Sequence, residues 1–299
     1  MGNANSNPVR NLDKRSVRRI YRKNFKRHIS AYVLEGDLEK QISSFAEELA
    51  EEKESKEMVQ DRGIYVYVRK RPIFDRERKT KEFDVVSCLN QFLTVHDARM
   101  EADMMTQVLH NYIFKFDHVF DETSDNREVY VNAAEPMVDF AMDGGFATCL
   151  MYGQTGSGKT YTMSSIYENA AKDIFEKKTD AQTVSMSFVE VAGDSVNDLL
   201  NGFESAQLLS ASDGSFQAYP VVEPMVSTVD DLLAFVQYAC TVRNTQATGV
   251  HDASSRSHAI LRVYINDESS KREGTYTGDE KSVRRKTQHF HFTLKTQVR

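Results

Sequence analysis

Cysteine is scarce in this chain. Cys88, Cys149 and Cys240 are the three among 299 residues, far apart and without paired spacing, which excludes a disulfide framework or a zinc knuckle and points to a reducing compartment, the cytosol. No apolar run approaches the roughly 20 residues needed to cross a bilayer, and the opening MGNANS is polar where a secretory signal would be apolar. Positive charge is not in excess either: 38 Lys and Arg face 44 Asp and Glu, a net charge of −6 that argues against a nucleic-acid partner. His289 and His291 share a strand face, but no further ligand lies nearby, so a metal site there is not expected. No internal repeat is found.

What is present supports a folded core. The chain is 40% hydrophobic with 17 Phe and 13 Tyr, enough apolar area for one large α/β domain with an appendage. The appendage is residues 1–62. Its first part, NPVRNLDKRSVRRIYRKNFKRHIS, sets nine Lys and Arg against Asp13 alone and reads as a solvated arm or an electrostatic contact. Its second part carries Leu38, Ile42, Phe45 and Leu49 at helical spacing behind Asp37 as N-cap, on an otherwise acidic helix. Packing of that stripe against the following domain is favoured over a coiled coil, because the repeat is too short for one.

From Gly63 onward, short β-rich runs alternate with helical ones. Strands are expected at Ile64–Val68, Ala147–Met151, Val184–Val191, Ala259–Ile265 and Phe290–Leu294, several of them apolar on both faces, with helices over IYENAAKDIFEKK and VDDLLAFVQYACTVRN. That alternation predicts an α/β fold with a mostly parallel sheet flanked by helices over 63–299. The polar stretch NDESSKREGTYTGDEKSVRRKTQ is expected to be an exposed loop.

The stretch CLMYGQTGSGKTYTM carries the chemistry. Gly153, Gln154, Thr155, Gly156, Ser157, Gly158, Lys159 and Thr160 fit G-x-x-x-x-G-K-[ST], after an apolar strand and before a helix. Glycines allow backbone N–H groups to converge on phosphate oxygens, the helix N-terminus adds its positive end, and Lys159 supplies a full charge at the β and γ phosphates. The Thr160 hydroxyl would ligate Mg²⁺. A Lys at a helix N-terminus is unfavourable without an anion, which weighs against a ligand-free glycine turn.

Phosphate binding alone does not choose among transporters, GTPases, helicases and motors. Four stretches in order do: RKRP (Arg69 to Pro72), FKFDHVFDETSDNREVY, YGQTGSGKTYTM and HDASSRSHAI together resemble the kinesin motor family over Gly63 to Leu294. The resemblance implies a P-loop NTPase that binds ATP and Mg²⁺, acts as a microtubule-stimulated ATPase, and associates with tubulin in the cytoplasm and cytoskeleton. It places Arg69 and Pro72 beside the adenine with Tyr161 on the other side. It places Ser254 and Ser255 over the γ-phosphate and Mg²⁺, and makes Arg256 the partner of a switch II acid. His251 stands where the family carries Asn.

Within that family, IYVYVRKRP, KEFDVVS and TVHDARMEADMMTQ are similar to the internal-motor, microtubule-depolymerising class thirteen, whose charged neck also precedes the motor core. Where that class carries a Lys-Val-Asp tip, this chain has Glu101, Ala102 and Asp103, a charge reversal that opposes contact with the acidic tubulin surface. After HFHFTL, kinesins continue into D-L-A-G-x-E, whereas this chain reads KTQVR. A motor cut before switch II is therefore expected to bind ATP weakly and to hydrolyse it poorly or not at all. A non-catalytic interaction protein with a remnant nucleotide pocket is the alternative. MGNANS also fits the N-myristoylation pattern on Gly2, with the basic block as a second membrane signal; a polar disordered start is favoured over it.

Overall fold

A computed structural model describes residues 13–54, 63–103, 105–210, 216–249, 257–267 and 288–295. The chain divides into two compact units, one ending at Ser124 and the other beginning at Asp125.

The first unit opens with three helices, α1 (Lys14–Ile20), α2 (Arg22–Leu34) and α3 (Asp37–Glu54). They are followed by β1 (Tyr67–Arg69), α4 (Asp75–Lys79), β2 (Val86–Leu89), β3 (Phe92–Met100), β4 (Gln107–Lys115) and β5 (His118–Phe120). Asp13 caps α1 by accepting the Ser16 N–H. Asp37, expected as the cap of α3, is instead its first residue: Gly36, at φ +78°, turns the chain out of α2, and its carbonyl accepts the Lys40 N–H. The strand expected from Ile64 begins only at Tyr67, where pairing with β5 starts.

Strands β2, β3 and β4 form an antiparallel meander, and the helices cover it. Val17 and Phe25, both 0% exposed, pack with Phe83, Ala98 and Met100, and the Phe25 ring stacks on Phe83 at 6.2 Å. The stripe on α3 packs in the same way: Leu38 and Ile42 are buried with Phe92, and Phe45 lies against that cluster. The stripe thus faces this chain's own sheet.

The basic block is partly neutralised. Arg15, Arg18 and Arg19 on α1 all reach the Glu82 carboxylate. Burial works against the charged form of Glu82, but hydrogen bonds from Arg19 and Arg15 outweigh it and hold the carboxyl below its ordinary range. A depressed folded-state value means that this contribution is fully present at neutral pH and is lost as the pH falls through that value. Glu82→Gln is therefore expected to lower the thermal midpoint at pH 7, and the variant's midpoint should fall less than the wild type's on acidification to pH 3. Parallel acid profiles would remove Glu82 as the cause.

The second unit contains α5 (Asn126–Ala133), α6 (Glu135–Met142), β6 (Phe146–Met151), α7 (Lys159–Lys177), β7 (Gln182–Ala192) and β8 (Ser195–Asp198). It continues with β9 (Glu204–Ser210), β10 (Phe216–Tyr219), β11 (Met225–Val226), α8 (Val229–Gly249), β12 (Ser257–Asp267) and β13 (Gln288–Lys295). The large sheet runs β10-β9-β8-β7-β12-β13-β6, with β11 alongside β7.

The expectation of a mostly parallel sheet needs correction. Among the described strands of this sheet, β13 and β6 pair in parallel, while β10–β9, β9–β8, β8–β7, β7–β12, β12–β13 and β11–β7 are antiparallel. The cue was burial on both faces, and β7 is indeed buried on both sides along most of its length. Two covered faces, however, say nothing of the direction of the neighbouring strand.

The core lies between this sheet and its helices. On α7, Met163, Ile166, Tyr167, Ala170, Ala171 and Ile174 recur on one face and are all buried. They meet the row Val184, Met186 and Phe188 of β7 and the row Ala259, Leu261, Val263 and Ile265 of β12. Tyr130 on α5 ties into α7 through a buried hydrogen bond, its hydroxyl donating to Asp173 at 2.6 Å.

Candidate functional site

The glycine-rich loop joins the C-terminal end of β6 to the N-terminus of α7, the position at which open α/β sheets bind ligands. Two glycines are required by geometry. Gly158 sits in the left-handed region at φ +99° immediately before Lys159, and no side chain caps α7. Gly153 has φ +153°, and a Cβ there would stand 2.7 Å from the Ser157 Oγ. A turn from the Ser157 N–H to the Gln154 carbonyl closes the loop. Gln154, Thr155 and Gly156 are exposed at its tip.

Lys159 is the first residue of α7 and is only 7% exposed. Its ammonium folds back over the loop, donating to the carbonyls of Gly153 at 2.6 Å and Gln154 at 2.7 Å. Burial lowers its pKa. A cation here, beside the positive end of a 19-residue helix, is an arrangement that an anion relieves. Thr160 follows on the exposed side of the first turn, and Tyr161 is 67% exposed beside it. Cys149, on the strand beneath, is partly buried, and desolvation pushes its thiol up to about 11, so it stays protonated at neutral pH.

The remaining expected site residues belong to the first unit or lie outside the described residues. Arg69 ends β1 in the first unit, where it donates to the Ser124 carbonyl at 3.0 Å, and Pro72 is exposed three residues on. Its neighbour Arg71 forms a two-point pair with Glu77, whose carboxylate also accepts the Phe74 N–H at the start of α4, and stacks on Phe74. Glu77 is lowered to about 2, first by Arg71 and then by the Phe74 N–H. Ser254, Ser255 and Arg256 lie outside the described residues, as do Gly2, His251 and most of the polar stretch after Asp267. No group of His, Cys, Asp or Glu among the described residues could hold a metal ion, and no described helix is long and apolar enough to cross a membrane.

Sequence reasoning missed one polar cluster at the same end of the sheet. Glu190 on β7 accepts from the Nε of Arg243 on α8 at 2.7 Å and from the Oγ of Ser257, the first residue of β12. The available signal was a Glu in the otherwise apolar run FVEVA.

A strand, a positive-φ glycine loop and a lysine-led helix define the phosphate-loop class of α/β proteins. The family follows from comparison with known proteins: the kinesin motor domain model matches residues 69–288, and this chain belongs to that family. It is 37% identical over 209 residues to diatom spindle kinesin-1 of Cylindrotheca fusiformis, which covers 69% of this chain and 34% of that protein. It is 38% identical over 227 residues to the kinesin-like protein KIN-13B of Arabidopsis thaliana, covering 74% of this chain and 32% of the relative. Against the mouse kinesin-like protein KIF24, identity is 37% over 223 residues, 71% of this chain and 16% of the relative. The matched region thus spans about a third or less of each of these relatives.

Proposed function

We propose that this chain is the nucleotide-binding part of a microtubule motor, with ATP held at the phosphate loop in complex with Mg²⁺. The supporting observation is the Lys159 ammonium folded over a loop whose glycines adopt positive φ, at a helix N-terminus. Backbone N–H groups of Gly156 to Thr160 and the Lys159 ammonium would bind the β and γ phosphates, and the Thr160 and Ser255 hydroxyls would hold Mg²⁺. Mg²⁺ would neutralise charge on the phosphates. Tyr161 would contact the adenine by stacking. Ser254 and Arg256 would respond to the terminal phosphate.

A fluorescent ATP analogue titrated into the chain tests this. Saturable binding competed by ATP and weakened by EDTA is expected, and no saturable binding at millimolar nucleotide would refute it. Measured turnover separates an ATPase from the alternative, an interaction protein that binds nucleotide without hydrolysing it.

For the partner, the exposed Lys14, Lys23, Lys26 and Arg27 on α1 and α2 are the groups available to the acidic tubulin surface. Binding of the chain to microtubules is expected to weaken steeply from about 50 to 200 mM salt, as the Debye length shortens. Salt-independent cosedimentation would discard the arm as the contact. The neck-first, class-thirteen layout is supported by the arm's charge and by the likeness to KIN-13B. The β3–β4 tip argues against a depolymerase: it presents Glu101 exposed beside Asp103, whose carboxylate accepts the N–H groups of Met105 and Thr106.

A further inference from the structure

Three apolar rows of the second unit end in polar residues that meet. On β7 the inward row Val184, Met186 and Phe188 continues to Glu190, and on β12 the row from Ile265 back to Ala259 ends in Ser257. On α8, Leu232, Val236 and Ala239 line the buried face, and Arg243 comes one turn later. All three polar residues are largely buried, with side-chain exposures of 15% for Arg243 and 9% for Glu190. The Glu190 Oε1 accepts from the Arg243 Nε at 2.7 Å and from the Ser257 Oγ, and the Arg243 Nη2 reaches the Ser257 Oγ at 3.1 Å.

Register places this cluster relative to the phosphate loop. Glu190 pairs with Ala259, Ala259 with Leu294, and Leu294 with Met151. Met151 stands two residues before Gly153. One line of backbone therefore crosses three strand spacings, roughly 14 Å, from the cluster to the foot of the loop.

Stability alone does not call for this arrangement. Apolar residues at the three positions would extend the same rows, and a buried ion pair is weak evidence of stabilisation over such a replacement. What the ions add is direction: a carboxylate and a guanidinium accept only a narrow set of approaches. Here they tie the end of α8 to the first residue of β12.

We propose that Glu190, Arg243 and Ser257 form a clamp that fixes the start of β12 at the phosphate-loop end of the sheet, so that Arg243 and Glu190 are positioning residues for recognition of the terminal phosphate. The second half of that statement rests on the nucleotide reading above, because Ser254 and Ser255 stand three and two residues before the clamped Ser257.

Arg243→Lys and Ser257→Ala on the whole chain test the clamp, since both leave Glu190 with a partner or a neighbouring cation. Amide hydrogen exchange of the nucleotide-free protein over residues 257–261 is expected to quicken by about fivefold or more, while residues 184–188 stay unchanged. Affinity for a non-hydrolysable ATP analogue should fall about tenfold with ADP affinity held within about twofold, Arg243→Lys falling less than Arg243→Met. Equal loss for both nucleotides, or faster exchange across the whole sheet, would reduce the cluster to ordinary core packing. If the wild type bound no nucleotide, the nucleotide reading would fail, and the exchange result would still decide the clamp. Unchanged exchange at 257–261 overturns it.

Discussion

Lys159→Ala is expected to lower affinity for MgATP by about a hundredfold or more while leaving the fold intact. Charge-assisted hydrogen bonds contribute about 1.5–3 kcal/mol each, and two of them to phosphate oxygens account for that loss. The stability side follows from the ammonium's present partners, the carbonyls of Gly153 and Gln154 on a loop whose tip is exposed. Water can replace the ammonium at carbonyls so near the surface, so the unfolding free energy should change by less than about 1 kcal/mol. Titration calorimetry and thermal denaturation on the same preparation check both halves. Undiminished ATP affinity would remove the phosphate loop from the proposed site.

Phe25→Ala should produce the largest loss of stability in the first unit, about 3–5 kcal/mol for truncating a fully buried aromatic ring. Phe25 is 0% exposed, stacks on Phe83 and shares its cluster with Val17, Ala98 and Met100. Its loss leaves a cavity between α2 and the β2–β3–β4 meander. Denaturant unfolding followed by near-ultraviolet absorption, together with faster tryptic cutting after Arg15, Arg18 and Arg19, reads the effect. A cost below about 1 kcal/mol would show that the arm adds little to the fold it covers.

The arm also shows how far a charge pattern can be read. Nine cations against one acid spoke for a solvated segment or an electrostatic contact, and part of the block does make a contact, within the chain itself. Arg15, Arg18 and Arg19 share Glu82, which lies 63 to 67 residues further on and has no marker in its local sequence. The stripe on α3 was easier, because an apolar row on an acidic helix has to be covered by something. Asp37 misled for a local reason: Gly36, one residue earlier, could take the positive φ that moved the helix start.

The phosphate loop was legible in consecutive residues. Its chemistry needs glycines, a lysine and a hydroxyl within a few positions, and a strand before and a helix after, all of which nearest neighbours along the chain can supply. Helices α7 and α8 and strands β6, β7, β12 and β13 were visible for the same reason, since periodicity and β-branched runs are local properties. Strand direction was not local. A run buried on both faces looks alike in a parallel or an antiparallel sheet, and only pairing across the fold made all but β13–β6 antiparallel among the described strands of the large sheet. The meeting of Glu190 with Arg243 and Ser257, 53 and 67 residues away, has the same origin: three separate rows had to be brought to one end of the core before their polar ends could touch.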